Sequence, residues 1–115
     1  MKKVEYSQIL RRKLKVLRGR LTSEFGSEVS RKALKTITDA ARSLEKFEER
    51  GVSVSSMYDI ECDYRYLYVG HNYLFYRIET DKIIIVEIFD DREDFMYKLF
   101  GISTTSQESI DYWDE

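Results

Sequence analysis

Three stretches decide the fold: Tyr64-Arg65-Tyr66-Leu67-Tyr68-Val69, Tyr73-Leu74-Phe75-Tyr76-Arg77-Ile78-Glu79 and Lys82-Ile83-Ile84-Ile85-Val86-Glu87-Ile88-Phe89. All are rich in Tyr, Ile, Val and Phe, side chains that fit a pleated, half-buried surface. Gly70-His71-Asn72 and Thr80-Asp81 separate them. Such short polar connections predict hairpin turns, so the three strands form an antiparallel meander.

Upstream the apolar period changes from two residues to 3.6. Leu10, Leu14, Leu17 and Leu21 form one stripe, with Arg11, Arg12, Lys15, Arg18 and Arg20 on the other faces. This pattern predicts an amphipathic helix, capped by Ser7 and preceded by a short strand at Val4-Glu5-Tyr6. Gly26 suits the position just past its end, and Ser27 suits the cap of a second helix. That helix carries Val29, Ala33, Leu34, Ile37, Ala40, Ala41, Leu44 and Phe47 to about Arg50, and Gly51 ends it. Two helices joined so tightly pair antiparallel, and their narrow stripes need a sheet to cover what remains. Residues 51–63 read as a loop, and Asp90 to Phe100 as a short helix stopped by Gly101. Residues 103–115 form an acidic tail carrying Glu108, Asp111, Asp114 and Glu115 around Ile110, Tyr112 and Trp113. The expected class is α+β: an N-terminal strand and a helical hairpin packed on a small antiparallel sheet, in the order β-α-α-β-β-β, with a short C-terminal helix. One domain spans residues 1–102, and the tail spans 103–115.

A chain of 115 residues with 43% hydrophobic residues builds one core and is not compositionally disordered. The polar start has no signal sequence and no stretch is apolar enough for a membrane span, so the chain reads as cytoplasmic. Lone Cys62 and lone His71 leave no spacing for a zinc site or a Cys/His nucleophile pair, and no phosphate-binding glycine loop occurs. No metal, cofactor or small-molecule ligand is expected. The net charge of −2 hides a division. Residues 1–50 carry 14 Lys and Arg against 7 Asp and Glu, a balance of +7, whereas residues 51–115 carry 5 against 14, a balance of −9. A basic half suits a polyanion or acidic partner, and it equally suits a solvated helix surface.

The meander offers the remaining candidates. If Gly70-His71-Asn72 is a three-residue loop, Arg65 faces Arg77, and two guanidiniums side by side want an anion between them. If His71-Asn72 is the loop, Arg65 falls beside Ile78 instead, because a one-residue slip inverts the faces. A local salt bridge from these arginines to Glu61 or Asp63 is the plainer alternative. His71 sits at a turn, where a solvated surface role competes with acid–base work. The tyrosines Tyr64, Tyr66, Tyr68, Tyr73 and Tyr76 suit core packing and, less commonly, base stacking. The run from Asp90 to Asp94 suits a helix start.

Tyr64 to Gly70, Asn72 to Ile78, and Ile83 to Phe89 followed by Asp91-Arg92-Glu93-Asp94-Phe95 resemble the C-terminal half of the RelE/ParE toxin superfamily, and the basic helical hairpin before them matches its layout. The resemblance covers roughly Met1 to Ile102. It implies the toxin of a type II toxin–antitoxin module, of the kind associated with plasmid stabilisation, held inactive by a cognate antitoxin laid across hairpin and sheet. Some members cleave mRNA on the ribosome, and others poison DNA gyrase without hydrolysis. Ribosome-dependent mRNA cleavage is the first expectation, with Arg65, Arg77 and Arg92 as phosphate clamps and His71, Tyr73 or Tyr76 for proton transfer. Tyr73 stands where ribonuclease members commonly have Arg, and Asp90 where many carry a basic group. The alternatives are a non-enzymatic inhibitor of gyrase or another protein, contacting it through Arg11, Arg12, Lys15 and Arg18, and a degenerate binding module.

Overall fold

The computed structural model describes residues 2–58 and 61–91. The elements are β1 (Lys3–Tyr6), α1 (Gln8–Phe25), α2 (Ser27–Ser43), β2 (Val52–Ser53), α3 (Val54–Tyr58), β3 (Tyr64–Val69), β4 (Asn72–Ile78) and β5 (Lys82–Asp90). The α+β plan is the expected one. The sheet is wider than the meander, with five strands in the order β1-β5-β4-β3-β2. β1 joins β5 in parallel, Lys3 opposite Lys82 and Tyr6 opposite Ile85, and β2 pairs antiparallel with β3.

The helices cover one face, α1 over β5 and α2 over β3. Leu10, Ile37, Ala41 and Leu44 meet Leu67, Leu74, Tyr76, Ile83, Ile85 and Ile88 there. The opposite face carries Tyr66, Phe75 and Phe89, with Val54 of α3 packed against them. The apolar run of β5 serves both layers because of a bulge. Phe75 pairs with Glu87 but Tyr76 pairs with Ile85, so Val86 is an extra residue. Strict alternation from Ile85 would bring Glu87 and Phe89 to the helices. The extra residue sends Ile88 there instead and Phe89 to the other side.

Local chemistry fixes the hairpin. The Ser7 hydroxyl accepts from the Leu10 amide at 3.0 Å and donates to the Val86 carbonyl at 2.7 Å, so one side chain caps α1 and ties it to β5. Gly26, at φ 92°, ends α1 and also starts α2. Ser27 therefore lies inside α2 and does not cap it, because the glycine leaves no room for a separate cap. Ser30, 1% exposed, donates to the Arg18 carbonyl at 3.1 Å and keeps the helices close.

Sheet edges are blunted by side chains. The Val4 amide donates to the Glu45 carboxylate at 3.0 Å. Where β5 outruns β1, Lys13 donates to the Ile88 carbonyl at 3.2 Å and pairs with Glu87 at 2.8 Å.

Several sequence expectations are corrected. α2 ends at Ser43 rather than near Arg50, and tight turns carry the chain onward through the Leu44–Ala41, Lys46–Ser43 and Arg50–Phe47 backbone bonds. The 51–63 loop contains β2 and α3, because β3 offers an edge to Val52 and Ser53 and an apolar seat for Val54. Asp90 closes β5 rather than opening a helix. The expected C-terminal helix beyond Asp91 and the tail lie outside the described residues.

The stretch from α2 to β2 is fastened by Tyr76. Its hydroxyl accepts from the Gly51 amide and donates to the Glu48 carbonyl, both at 2.8 Å, while wholly buried. A Cβ on Gly51 would stand 2.5 Å from that oxygen and 2.7 Å from the Tyr66 carbonyl. Gly51→Ala is therefore expected to destabilise the fold by about 1–3 kcal/mol. Gly19 is the counter-case, an exposed glycine within α1 whose added Cβ would meet nothing within 4 Å. Gly19→Ala should stabilise by about 1 kcal/mol. Urea unfolding of the two variants checks both signs.

Candidate functional site

The hairpin turn settles what the meander can do. The loop is Gly70-His71, with Val69 opposite Asn72, so Arg65 lies opposite Tyr76 and Arg77 opposite Tyr64. Neither anticipated register forms, because Asn72 belongs to β4 and the turn uses positive φ at both Gly70 (52°) and His71 (67°). Arg65 shares the helix-facing side with Tyr76, and Arg77 the opposite side. The arginine pair that a three-residue loop would create is therefore absent.

Each arginine has a local duty. Arg65 Nη1 donates to the Gly51 carbonyl at 2.8 Å and the Glu49 carbonyl at 3.3 Å, bracing the same stretch that Tyr76 holds. Arg77 grips Glu79 through Nε and Nη2, at 3.1 and 2.8 Å, rather than Glu61 or Asp63. Burial pushes the Tyr76 phenol above its ordinary value, partly offset by the Gly51 amide and the Arg65 guanidinium. Tyr73 packs its ring against Tyr66 and Tyr68, at centroid distances of 5.3 and 5.1 Å. Arg92 lies outside the described residues. Among Arg65, Arg77, Tyr73, Tyr76 and His71, only Arg65 and Tyr76 converge, and they converge on backbone.

A cluster that the sequence reading missed occupies the hairpin tip. Tyr68 donates to Asp91 Oδ2 at 2.6 Å, and His71 Nδ1 lies 3.3 Å from the same oxygen. The Asp91 amide in turn donates to the His71 carbonyl at 2.8 Å. Asp91 is remote from Tyr68 in sequence and meets it only through strand pairing. The hydrogen bond to Asp91, then desolvation, pushes the Tyr68 phenol up to about 12. The cluster clasps the turn, with the Tyr68 proton shared with the Asp91 carboxylate.

The basic residues of α1 divide between two concave surfaces. Arg12 lines a hollow with Lys13, Val16, Leu17, Arg20, Asn72, Ile88 and Asp90. Arg11, Lys15 and Arg18 line a groove of about 860 Å³ between α1 and α2, whose other walls are Leu14, Thr22, Ser27, Ser30, Arg31 and Leu34. Among the described residues, no carboxylate lines that groove. Arg11, Lys15, Arg18 and Arg31 make no ion pair with any described residue, whereas Lys32 and Lys35 on α2 have Glu28 and Asp39 at 3.9 and 2.8 Å. Like charges three and four residues apart repel along a helix, so the groove carries unneutralised positive potential over a leucine floor. Among the described residues, no three His, Cys, Asp or Glu side chains gather as a metal site. No described helix is long and apolar enough to cross a membrane.

The Tyr68 clasp yields a titration test. Because the folded state raises this phenol, its contribution to stability is complete below about pH 10 and is lost as pH climbs toward 12. In Asp91→Asn the Tyr68 ionisation should fall back toward 10, followed by ultraviolet absorbance against Tyr68→Phe.

No curated protein sequence matches this chain. In fold it is similar to a solved chain of the chromosomal ParDE toxin–antitoxin system from P. aeruginosa, with a TM-score of 0.66, 17% identity, and coverage of 78% of this chain and 96% of that one. The family model for the ParE toxin of the type II toxin–antitoxin system parDE matches residues 4–95, which takes in both helices of the hairpin and all of the sheet except Lys3. With most of its length so matched, the chain belongs to the ParE toxin family of type II toxin–antitoxin systems, within the RelE/ParE superfamily.

Proposed function

We propose that this chain arrests bacterial growth by binding a protein target, DNA gyrase first, through the α1/α2 groove, and that its cognate antitoxin relieves the arrest in the cytoplasm. The observation that carries this reading is the groove itself. Leu14 and Leu34 floor it, and Arg11, Lys15, Arg18 and Arg31 rim it without ion pairs to any described residue. An apolar floor with a cationic rim matches an acidic, amphipathic protein segment better than a phosphate backbone, which has no apolar side chains to fill it.

Ribosome-dependent mRNA cleavage, the first expectation from the sequence, needs cations converging on one phosphorane beside a proton donor and acceptor. Arg65 and Arg77 lie on opposite sheet faces, and the Tyr76 hydroxyl is held between backbone groups. A mutation of Arg77 thus removes a surface ion pair and little else.

The test uses the full chain with purified gyrase and relaxed plasmid. Arg11→Glu/Lys15→Glu/Arg18→Glu should lose at least tenfold in inhibition of supercoiling, since several desolvated charge pairs are reversed at once. Arg77→Ala should stay within about twofold, because an exposed pair contributes little. In cells, induction of the wild type should arrest growth without new mRNA 5′ ends inside translated frames. Such ends, lost in Arg65→Ala/Arg77→Ala with folding intact, would establish the ribonuclease reading instead.

A further inference from the structure

The far end of β5 is an edge without a strand. β1 pairs with β5 only as far as Ile85, and among the described residues no strand continues that row along Val86 to Asp90. Side chains stand in for the missing backbone. The Ser7 hydroxyl donates to the Val86 carbonyl, the Ile88 amide donates to Glu87 Oε1 at 3.2 Å, and Lys13 Nζ donates to the Ile88 carbonyl at 3.2 Å. Lys13 and Glu87 also pair with each other at 2.8 Å, so one ion pair occupies both the donor and the acceptor that Ile88 turns outward.

Beside this edge lies a hollow of about 320 Å³, walled by Arg12, Val16, Leu17 and Arg20 of α1 and by Ile88 of the sheet. Val16 is 71% exposed there, an apolar side chain with nothing over it among the described residues. Arg12 and Arg20 make no ion pair with any described residue. At 3.6 residues per turn these positions lie about half a turn around α1 from Arg11, Lys15 and Arg18, so the hollow is separate from the α1/α2 groove.

We infer that this edge and hollow receive an extended, acidic peptide segment of a partner protein, added beside β5 where β1 stops. A peptide backbone supplies both the acceptor and the donor that Ile88 calls for, which a phosphate backbone does not, and alternate side chains of an added strand fall on the helix side, into the hollow. α1 and β5 run the same way here, Ser7 beside Val86 and Lys13 beside Ile88. Arg12 and Arg20 stand about 12 Å apart along the helix, which a strand crosses in about four residues. The fitting segment therefore carries carboxylates at its first and fifth positions and a branched apolar side chain at its third, against Val16, Leu17 and Ile88. The Lys13–Glu87 pair is the latch. The Lys13 side chain is 39% exposed, so opening the pair costs little. Its ammonium also lies 4.2 Å from the centre of the Phe89 ring, a seat it keeps when the edge is taken. This surface does not depend on what the α1/α2 groove binds.

The test is an amide NMR titration of the isotopically labelled full chain with the end-blocked peptide TETVTET. The Ile88 amide should shift saturably, and the Leu14 and Ser30 amides of the groove should stay in place. The same peptide N-methylated throughout, which lacks the edge donors, and the charge-reversed TKTVTKT should each bind about tenfold more weakly or not at all. Arg12→Gln/Arg20→Gln should weaken TETVTET by about fivefold. Lys13→Met should tighten it by about twofold, since the latch is gone. Charge alone predicts the opposite sign, so weaker binding in Lys13→Met would overturn the latch. Shifts confined to the groove, equal binding of the methylated or lysine peptide, or no saturable shift at Ile88 would overturn the docking site. Ile88 shifts that follow protein concentration without peptide would assign the edge to a second copy and overturn it as well. If the arginine variant does not fold, the wild-type titrations with the three peptides still decide. None of these measurements involves gyrase, so the supercoiling result stands or falls separately.

Discussion

The Tyr76 hydroxyl, wholly buried, receives the Gly51 amide and gives its proton to the Glu48 carbonyl, while Arg65 takes the carbonyls of Glu49 and Gly51. This knot holds the segment between the helical hairpin and the sheet, and both layers depend on it. Each neutral bond contributes about 1 kcal/mol net, and the charge-assisted ones about 1.5–3. Loss of one partner costs more, because it strands a polar group without water. The described residues contain no buried side-chain polar atom lacking a partner. Gly51 has no side chain because the tyrosine oxygen occupies that space.

This use of Tyr76 and Arg65 bears directly on function. Residue types that make a nuclease when they converge on a phosphate make a brace when they converge on carbonyl oxygens. The chemistry of the residues is the same in both cases, and the partner in reach decides. Arg77, turned to the other face by strand alternation, meets Glu79 instead. Along the hairpin, by contrast, α1 and α2 leave cations exposed on a seam that both line.

The sequence made much of this legible. Leu10, Leu14, Leu17 and Leu21 mark α1, Ser7 its start and Gly26 its end, because helix periodicity and capping are local. The strands β3, β4 and β5 start and stop within a residue of their aromatic and β-branched runs. The basic residues Arg11, Lys15 and Arg18 could be read as a partner surface from their faces alone. The division of Arg12 from them could not, because it depends on where β5 ends beneath α1. The pairing of Tyr68 with Asp91 carries no local signal either.

By itself, the sequence determined the two long helices, the strands β1, β3, β4 and β5, and how charge divides along the chain, since periodicity and composition act over a few residues. Only the tertiary structure decided the register. A Gly70-His71 turn in place of either neighbouring choice rotates every β3 residue against β4, and the extra residue at Val86 does the same within β5. Side chains alternate with a period of two, so a single residue in a turn or a bulge moves an arginine from one face to the other. That choice is settled by which arrangement buries Leu67, Leu74 and Ile88 against the helices, a sum over contacts far apart in the chain.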